Sequence, residues 1–218
     1  MRYPDHAPSA TDRRLQKALD KYLPRVGITA KDRLRWAIQQ VNAYRQDQGK
    51  GWSPGDWENA RLELAIFASI GKNLLPGHRG IMATDGAIEG PSVNVAKIIL
   101  ESFQRMLEDA GQQKQISLGP FPIRQEMTWD SRTDRYHLWE EIEGATWEDR
   151  ARYALGQLLK EDGHRLRQCP AKLPHSRKAC RSFFLKAKRG KYCSRPCASR
   201  EMTRKFREKK GGSRHGTK

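Results

Sequence analysis

The chain has 218 residues and a mass of 25.1 kDa, with 37% hydrophobic residues, enough for one ordinary domain and a small module but too little for a large multidomain enzyme. That composition excludes a fibre, a repeat array and a wholly disordered polymer. The formal charge of +17 is placed unevenly: the first 163 residues hold 23 basic and 23 acidic side chains, whereas the last 55 hold 19 and 2.

In chain order, the polar start with Pro4 and Pro8 reads as a loose arm. Leu15, Leu19, Tyr22 and Leu23 then recur at helical spacing until Pro24 and Gly27. A second helix is predicted from Thr29, with Asp32 at the third helical position and Leu34, Ile38, Val41 and Tyr44 on its apolar side. Ser53, Pro54 and Asp56 mark the next start, because proline in the first turn loses no helix bond and a carboxylate there faces unpaired N–H groups. Trp57, Leu62, Leu64, Ile66 and Phe67 make it a core helix that ends at Gly71 and Pro76.

The glycine-rich stretch 77–91 reads as a loop, and a fourth helix follows from Ser92 to Gly111 with Val95, Ile98, Ile99, Phe103, Met106 and Leu107. Two strands flank a turn at residues 130–134, the first with Met127 and Trp129, the second with Tyr136, Leu138 and Ile142. Thr146 with Asp149 opens a fifth helix whose buried side is Trp147, Tyr153, Leu155, Leu158 and Leu159, and Gly163 stops it. The expected organisation is a mostly helical sensor or assembly domain over 10–163, a basic module over 164–210 and a flexible tail over 211–218. The fold class is mainly α with a small β element, ending in a treble-clef-like or related structural zinc finger.

All four cysteines, Cys169, Cys180, Cys193 and Cys197, lie in the basic segment, with ten, twelve and three residues between them. No apolar run approaches the roughly 18 to 20 residues that span a bilayer, and the start lacks the succession of a signal peptide. A reducing cytoplasmic or nucleoid-associated location follows as an expectation, and with it metal ligation in place of disulfides. The Cys-x3-Cys pair has the spacing of structural zinc ligands. The segment needs such a ligand, because Leu173, Phe183, Phe184, Leu185, Tyr192, Met202 and Phe206 are too few to offset roughly 1 to 2 kcal/mol per residue of lost backbone freedom.

Phe183-Phe184, a basic stretch, Gly190 and Tyr192 fit a hairpin turning at Arg189-Gly190 that brings Cys193 beside Cys180. Ser194 and Pro196 open a final helix with Cys197 in its first turn and Ala198, Met202 and Phe206 as one packing stripe. Two candidates compete for the first ligand. Cys169 completes a set that uses every cysteine, while His175 lies closer to Cys180.

Residues 165–210 resemble the CGNR zinc-finger family of bacterial transcriptional regulators, whose Cys-Gly-Asn-Arg signature stands here as Cys197-Ala198-Ser199-Arg200. Lys191-Tyr192-Cys193-Ser194 resembles the family's basic-aromatic-Cys-Ser stretch, and Phe183 or Phe184 its aromatic after the second ligand. The resemblance implies Zn2+ as cofactor and Cys180, Cys193 and Cys197 as second, third and fourth ligands. It also implies a helical, ligand-responsive or stress-linked domain before the finger, joined near Arg165-Leu166-Arg167.

A net charge of +17 on 55 residues favours a phosphate polymer as partner. Duplex DNA is the expected one, with RNA as the alternative, a homodimer as a possible assembly and no membrane partner. On the final helix Arg200, Arg204, Lys205 and Arg207 are the candidate groove contacts, with Arg200 and Arg204 able to reach guanine edges; Lys186, Lys188, Arg189 and Lys191 serve the backbone. No catalytic activity is expected. Gly77-His78-Arg79-Gly80, Asp85, Glu89 and His137 form no metallohydrolase spacing, and the chain has no serine triad, Walker loop or dinucleotide fingerprint.

Overall fold

A computed structural model describes residues 17, 20–27, 29–69, 90–116, 118, 123–130, 135–142, 146–173, 179–187 and 190–212. Its four long body helices start at the caps marked in the sequence. In α1, Ala30–Asp47, the Thr29 hydroxyl accepts the Asp32 N–H at 3.1 Å. In α2, Pro54–Ser69, the Ser53 hydroxyl accepts the Asp56 N–H while the Asp56 carboxylate accepts the Ser53 N–H at 2.8 Å. Ser92 caps α3, Val93–Gly111, and Thr146 with Asp149 forms a reciprocal capping box on α4, Trp147–Asp162. Each cap satisfies donors that the first turn leaves without a helical partner.

Before α1, residues 20–26 are helical through Pro24, and Gly27 ends them with φ +90°, a left-handed conformation that costs a side-chain-bearing residue a Cβ clash. Leu15 and Leu19 lie outside the described residues, as do Gly71, Pro76 and the loop 77–89.

Helix α4 packs against α1, α2 and α3 and forms the centre of the body. Leu34, Ile38 and Val41 of α1, Leu64, Ile66 and Phe67 of α2, Ile99, Leu100, Phe103 and Leu107 of α3, and Leu155 and Leu158 of α4 make one buried cluster. Phe67 links two ring contacts, stacked on Trp36 at 4.9 Å and edge-on to Phe103 at 5.3 Å. The cluster also holds a carboxylate. Glu63, 5% exposed, accepts from Trp36 Nε1 at 2.9 Å, Gln40 Nε2 at 3.0 Å and Arg25 at 3.3 Å, so its desolvation is offset by donors from three residues.

The predicted strand pair is present: β1, Ile123–Asp130, runs antiparallel to β2, Arg135–Ile142, with Ile123 opposite Ile142 and Asp130 opposite Arg135. After α4, a 3-10 turn at Gly163–Arg165 leads into β3, Leu166–Gln168, which pairs antiparallel with β4, Phe183–Leu185. Helix α5, Arg195–Gly212, closes the described chain. No described helix is long and apolar enough to cross a membrane.

The hairpin turning at Arg189-Gly190 is corrected. The partner of β4 is the segment before Cys169, and among the described residues no strand follows β4. Only a tight turn remains of the expectation, with Gly190 N–H donating to Ala187 O at 3.2 Å. The physical reason is burial: Leu166 and Phe183, on opposite arms of the β3–β4 ribbon, are 0% and 2% exposed within the same cluster as the helices. Pairing β4 with the basic stretch after it would bring no comparable apolar side chain to that position.

Candidate metal centre

Beyond β3 the ribbon continues irregularly toward its turn. Cys169 N–H donates to Ser182 O at 2.9 Å, Arg181 N–H to Cys169 O at 3.1 Å and Cys180 N–H to Ala171 O at 2.6 Å, and Lys172 bridges Ala179. Cys169 and Cys180 therefore sit on two arms of one ribbon. The other pair comes from the start of α5, where the Ser194 hydroxyl accepts the Cys197 N–H at 3.4 Å and Ser194 O accepts the Ala198 N–H at 3.1 Å. Cys193 and Cys197, four residues apart at that helix start, face one point.

The four sulfurs lie within 4.8 Å of one another. Cys193 and Cys197 are 3.5 Å apart, Cys180 and Cys193 3.9 Å, and Cys197 and Cys180 4.0 Å. A tetrahedron with metal–sulfur bonds of about 2.3 Å has sulfur–sulfur edges of about 3.8 Å, so the three distances bracket the edge that a tetrahedral thiolate ion requires. They are nearly twice the roughly 2.05 Å of a disulfide, and all four cysteines are free.

The surroundings favour thiolates with a cation between them. Burial pushes the Cys169 and Cys193 thiols above their ordinary range. Burial also acts upward on Cys197, but hydrogen bonds from Ser194, Cys193, Cys180 and Cys169 outweigh it and bring the thiol down to about 7. Arg200 Nη2 donates to Cys197 Sγ at 3.1 Å, and the Ser182 hydroxyl lies 3.2 Å from Cys180 Sγ. Such donors hold negative sulfur in place around a bound ion.

Two further contacts fix the centre to the body, and neither was read from the sequence. The Asn42 side chain clasps the edge of β4, accepting the Phe183 N–H and donating to Phe183 O, both at 2.9 Å. Arg45 lies 5.0 Å over the Phe183 ring, donates to Arg181 O at 2.9 Å and reaches Glu108 at 3.7 Å. Glu201 seats α5: it is 7% exposed and ion-paired to Arg204. The Arg204 hydrogen bonds, aided by the Lys172 backbone N–H, hold its carboxyl below the ordinary range. An asparagine on a partly apolar helix and one acid in a basic run carry no distinctive sequence signal.

Of the candidate contact residues, Lys186, Lys191, Lys205 and Arg207 are exposed. Arg200 is turned onto Cys197 and Pro196 O, and Arg204 is held between Glu201 and Glu208. Lys188, Arg189 and the alternative ligand His175 lie outside the described residues. The expected packing stripe on α5 is corrected, since Met202 is 63% and Phe206 59% exposed. The space beside the thiols is filled instead by Phe184 and Tyr192.

Fold and centre together define a mainly helical protein with a small two-stranded element beside a C-terminal four-cysteine cluster able to chelate a metal ion, a treble-clef-like arrangement. Comparison of the chain with protein families, with curated proteins and with solved structures finds no match.

Proposed function

We propose that the protein is a DNA-binding transcriptional regulator, not an enzyme, whose C-terminal module is held by Zn2+ on Cys169, Cys180, Cys193 and Cys197 and presents α5 to duplex DNA. The observation that carries this reading is the convergence of four thiols at the N-terminus of a helix within the segment that bears the whole net charge. Bound zinc supplies the cross-link that this apolar-poor segment lacks. The chain's own residues do the rest: Ser194 caps α5, Glu201 seats it, and Asn42 fixes the ribbon to the body.

Exposed Lys186, Lys191, Lys205 and Arg207 are placed to meet phosphates, and Lys188 and Arg189 belong to the same basic stretch. The CGNR resemblance supports the reading through the order of the cysteines and through Arg200, which follows Cys197 by three residues and bonds its sulfur. In this reading the helical body orients a pair of modules or reports a signal to them through β3 and β4, in the cytoplasm or on the nucleoid.

The test is binding of the full chain, with its metal content measured, to duplex DNA, single-stranded DNA and structured RNA across a salt series. About six phosphate contacts lower duplex affinity by roughly 10³ between 50 and 200 mM salt. A preference for duplex of particular sequence supports the regulator; equal affinity for all three polymers, or a preference for RNA, overturns it.

A further inference from the structure

Two sides of α5 differ in a way that decides which of them can read bases. Cys197, Glu201 and Arg204 share the side turned to the ribbon, with Cys197 and Glu201 buried and Arg204 engaged by Glu201 and Glu208. Arg200 adjoins them with its guanidinium on Cys197 Sγ and Pro196 O. The two arginines expected to read guanine thus spend donors within the protein.

At 100° per residue the opposite side carries Ser199, Met202, Thr203 and Phe206, spaced i, i+3, i+4 and i+7. All four are exposed, Met202 and Phe206 at 63% and 59%. The Thr203 hydroxyl donates to Ser199 O at 3.0 Å, so what that side chain has left to offer is its methyl group. Exposed Arg195, Lys205 and Arg207 flank the strip, and the exposed acid of the helix, Glu208, is paired with Arg204 on the other side.

We infer that Met202 and Phe206, with the Thr203 methyl, are the base-reading residues of α5, and that they recognise thymine C5-methyl groups in the major groove of duplex DNA. The inference rests on the duplex-binding reading above. Thymine methyl is the apolar group that base edges display in that groove, and apolar side chains contact it where arginine contacts guanine. A helix about 10 to 12 Å across fits a groove about 12 Å wide. From Ser199 to Phe206 the helix advances about 10 Å, or about three base-pair steps of roughly 3.4 Å. The flanking cations then face the two phosphate walls.

A second copy of the chain is a poorer occupant. Two such faces laid together would set Arg195, Lys205 and Arg207 against the same cations, and a strip two large side chains long falls short of the roughly 800 Å² per partner of a stable interface.

The experiment uses the full-length, zinc-loaded protein. Bound duplexes are selected from a random pool, and each thymine of the preferred site is then replaced by deoxyuridine, which lacks the methyl and keeps the hydrogen-bonding edge. Fixed thymines, a loss of about fourfold in affinity per critical methyl, and disappearance of that sensitivity in Met202→Ala/Phe206→Ala with zinc content unchanged are expected. Deoxyuridine without effect, or equal loss in wild type and variant, overturns the inference. Duplex binding with no sequence preference overturns it too but leaves salt-dependent duplex binding intact, whereas no duplex binding at all defeats the reading on which it rests. A wild-type dimer in sedimentation that the double variant abolishes would assign the face to a second copy and likewise overturn it.

Discussion

The helical body and the cysteine module solve the same problem of ordering a chain by different means. The body carries 23 basic and 23 acidic residues and buries a continuous set of large apolar side chains from four helices. The module carries 19 and 2, and the buried residues of its own cluster are Cys169, Ala171 and Cys197. One is held by the exclusion of water; the other needs bonds to a common ion and a clasp to its neighbour. The difference teaches that like charge can be concentrated on a small surface when the force that orders it does not depend on apolar area.

The largest effect that separates the regions is metal removal. Structural zinc contributes an apparent 10 to 16 kcal/mol in small modules, so chelation, or Cys197→Ser, should release the protection of amides in 166–200 while α1 to α4 keep theirs, as read by hydrogen exchange. Retained protection throughout the module would break the comparison. Phe103→Ala does the opposite. The ring is 0% exposed, and its loss should destabilise the body by about 3 to 5 kcal/mol, seen as a lower denaturant midpoint, with metal stoichiometry unchanged in the folded protein.

Asn42→Ala tests the join. It leaves the Phe183 N–H and C=O without their side-chain partners, at a cost of about 1 to 3 kcal/mol, and exchange at Phe183 should rise while the four-cysteine site still binds its ion. The smallest expected effect is on the body's acid limb. The Ser53 hydroxyl, with the Ser53 backbone N–H, holds the Asp56 carboxyl below its ordinary range. A group with a lower pKa folded than unfolded stabilises above the unfolded value and loses that contribution as pH falls through the folded one. Asp56→Asn should therefore flatten the pH dependence of stability below about pH 4, measured by denaturant titration at several pH values.

Much of this architecture was legible because it is local. Thr29, Ser53, Ser92 and Thr146 each cap a helix through partners three residues away or nearer, and such contacts are written in adjacent sequence. Leu34, Ile38, Val41 and Tyr44 declare one face by period alone, and all four are buried. Ile98 shared the apolar pattern of α3 yet is 45% exposed, because a period gives a face and not the width of what covers it. The β3–β4 pairing was misplaced by a neighbouring turn signal, since Gly190 marks a turn without saying which strands it joins.

What the amino-acid order settled by itself was the set of capped helices, the concentration of charge and the presence of thiols in one short segment, since each follows from covalent neighbours. Tertiary packing decided the rest. It brought Cys169 to the other three sulfurs, set Asn42 against Phe183 across 141 residues of chain, and turned Met202 and Phe206 outward while Glu201 went in. A side chain's periodicity is the same whichever way its helix faces, and only the surface against which α5 rests fixes that rotation.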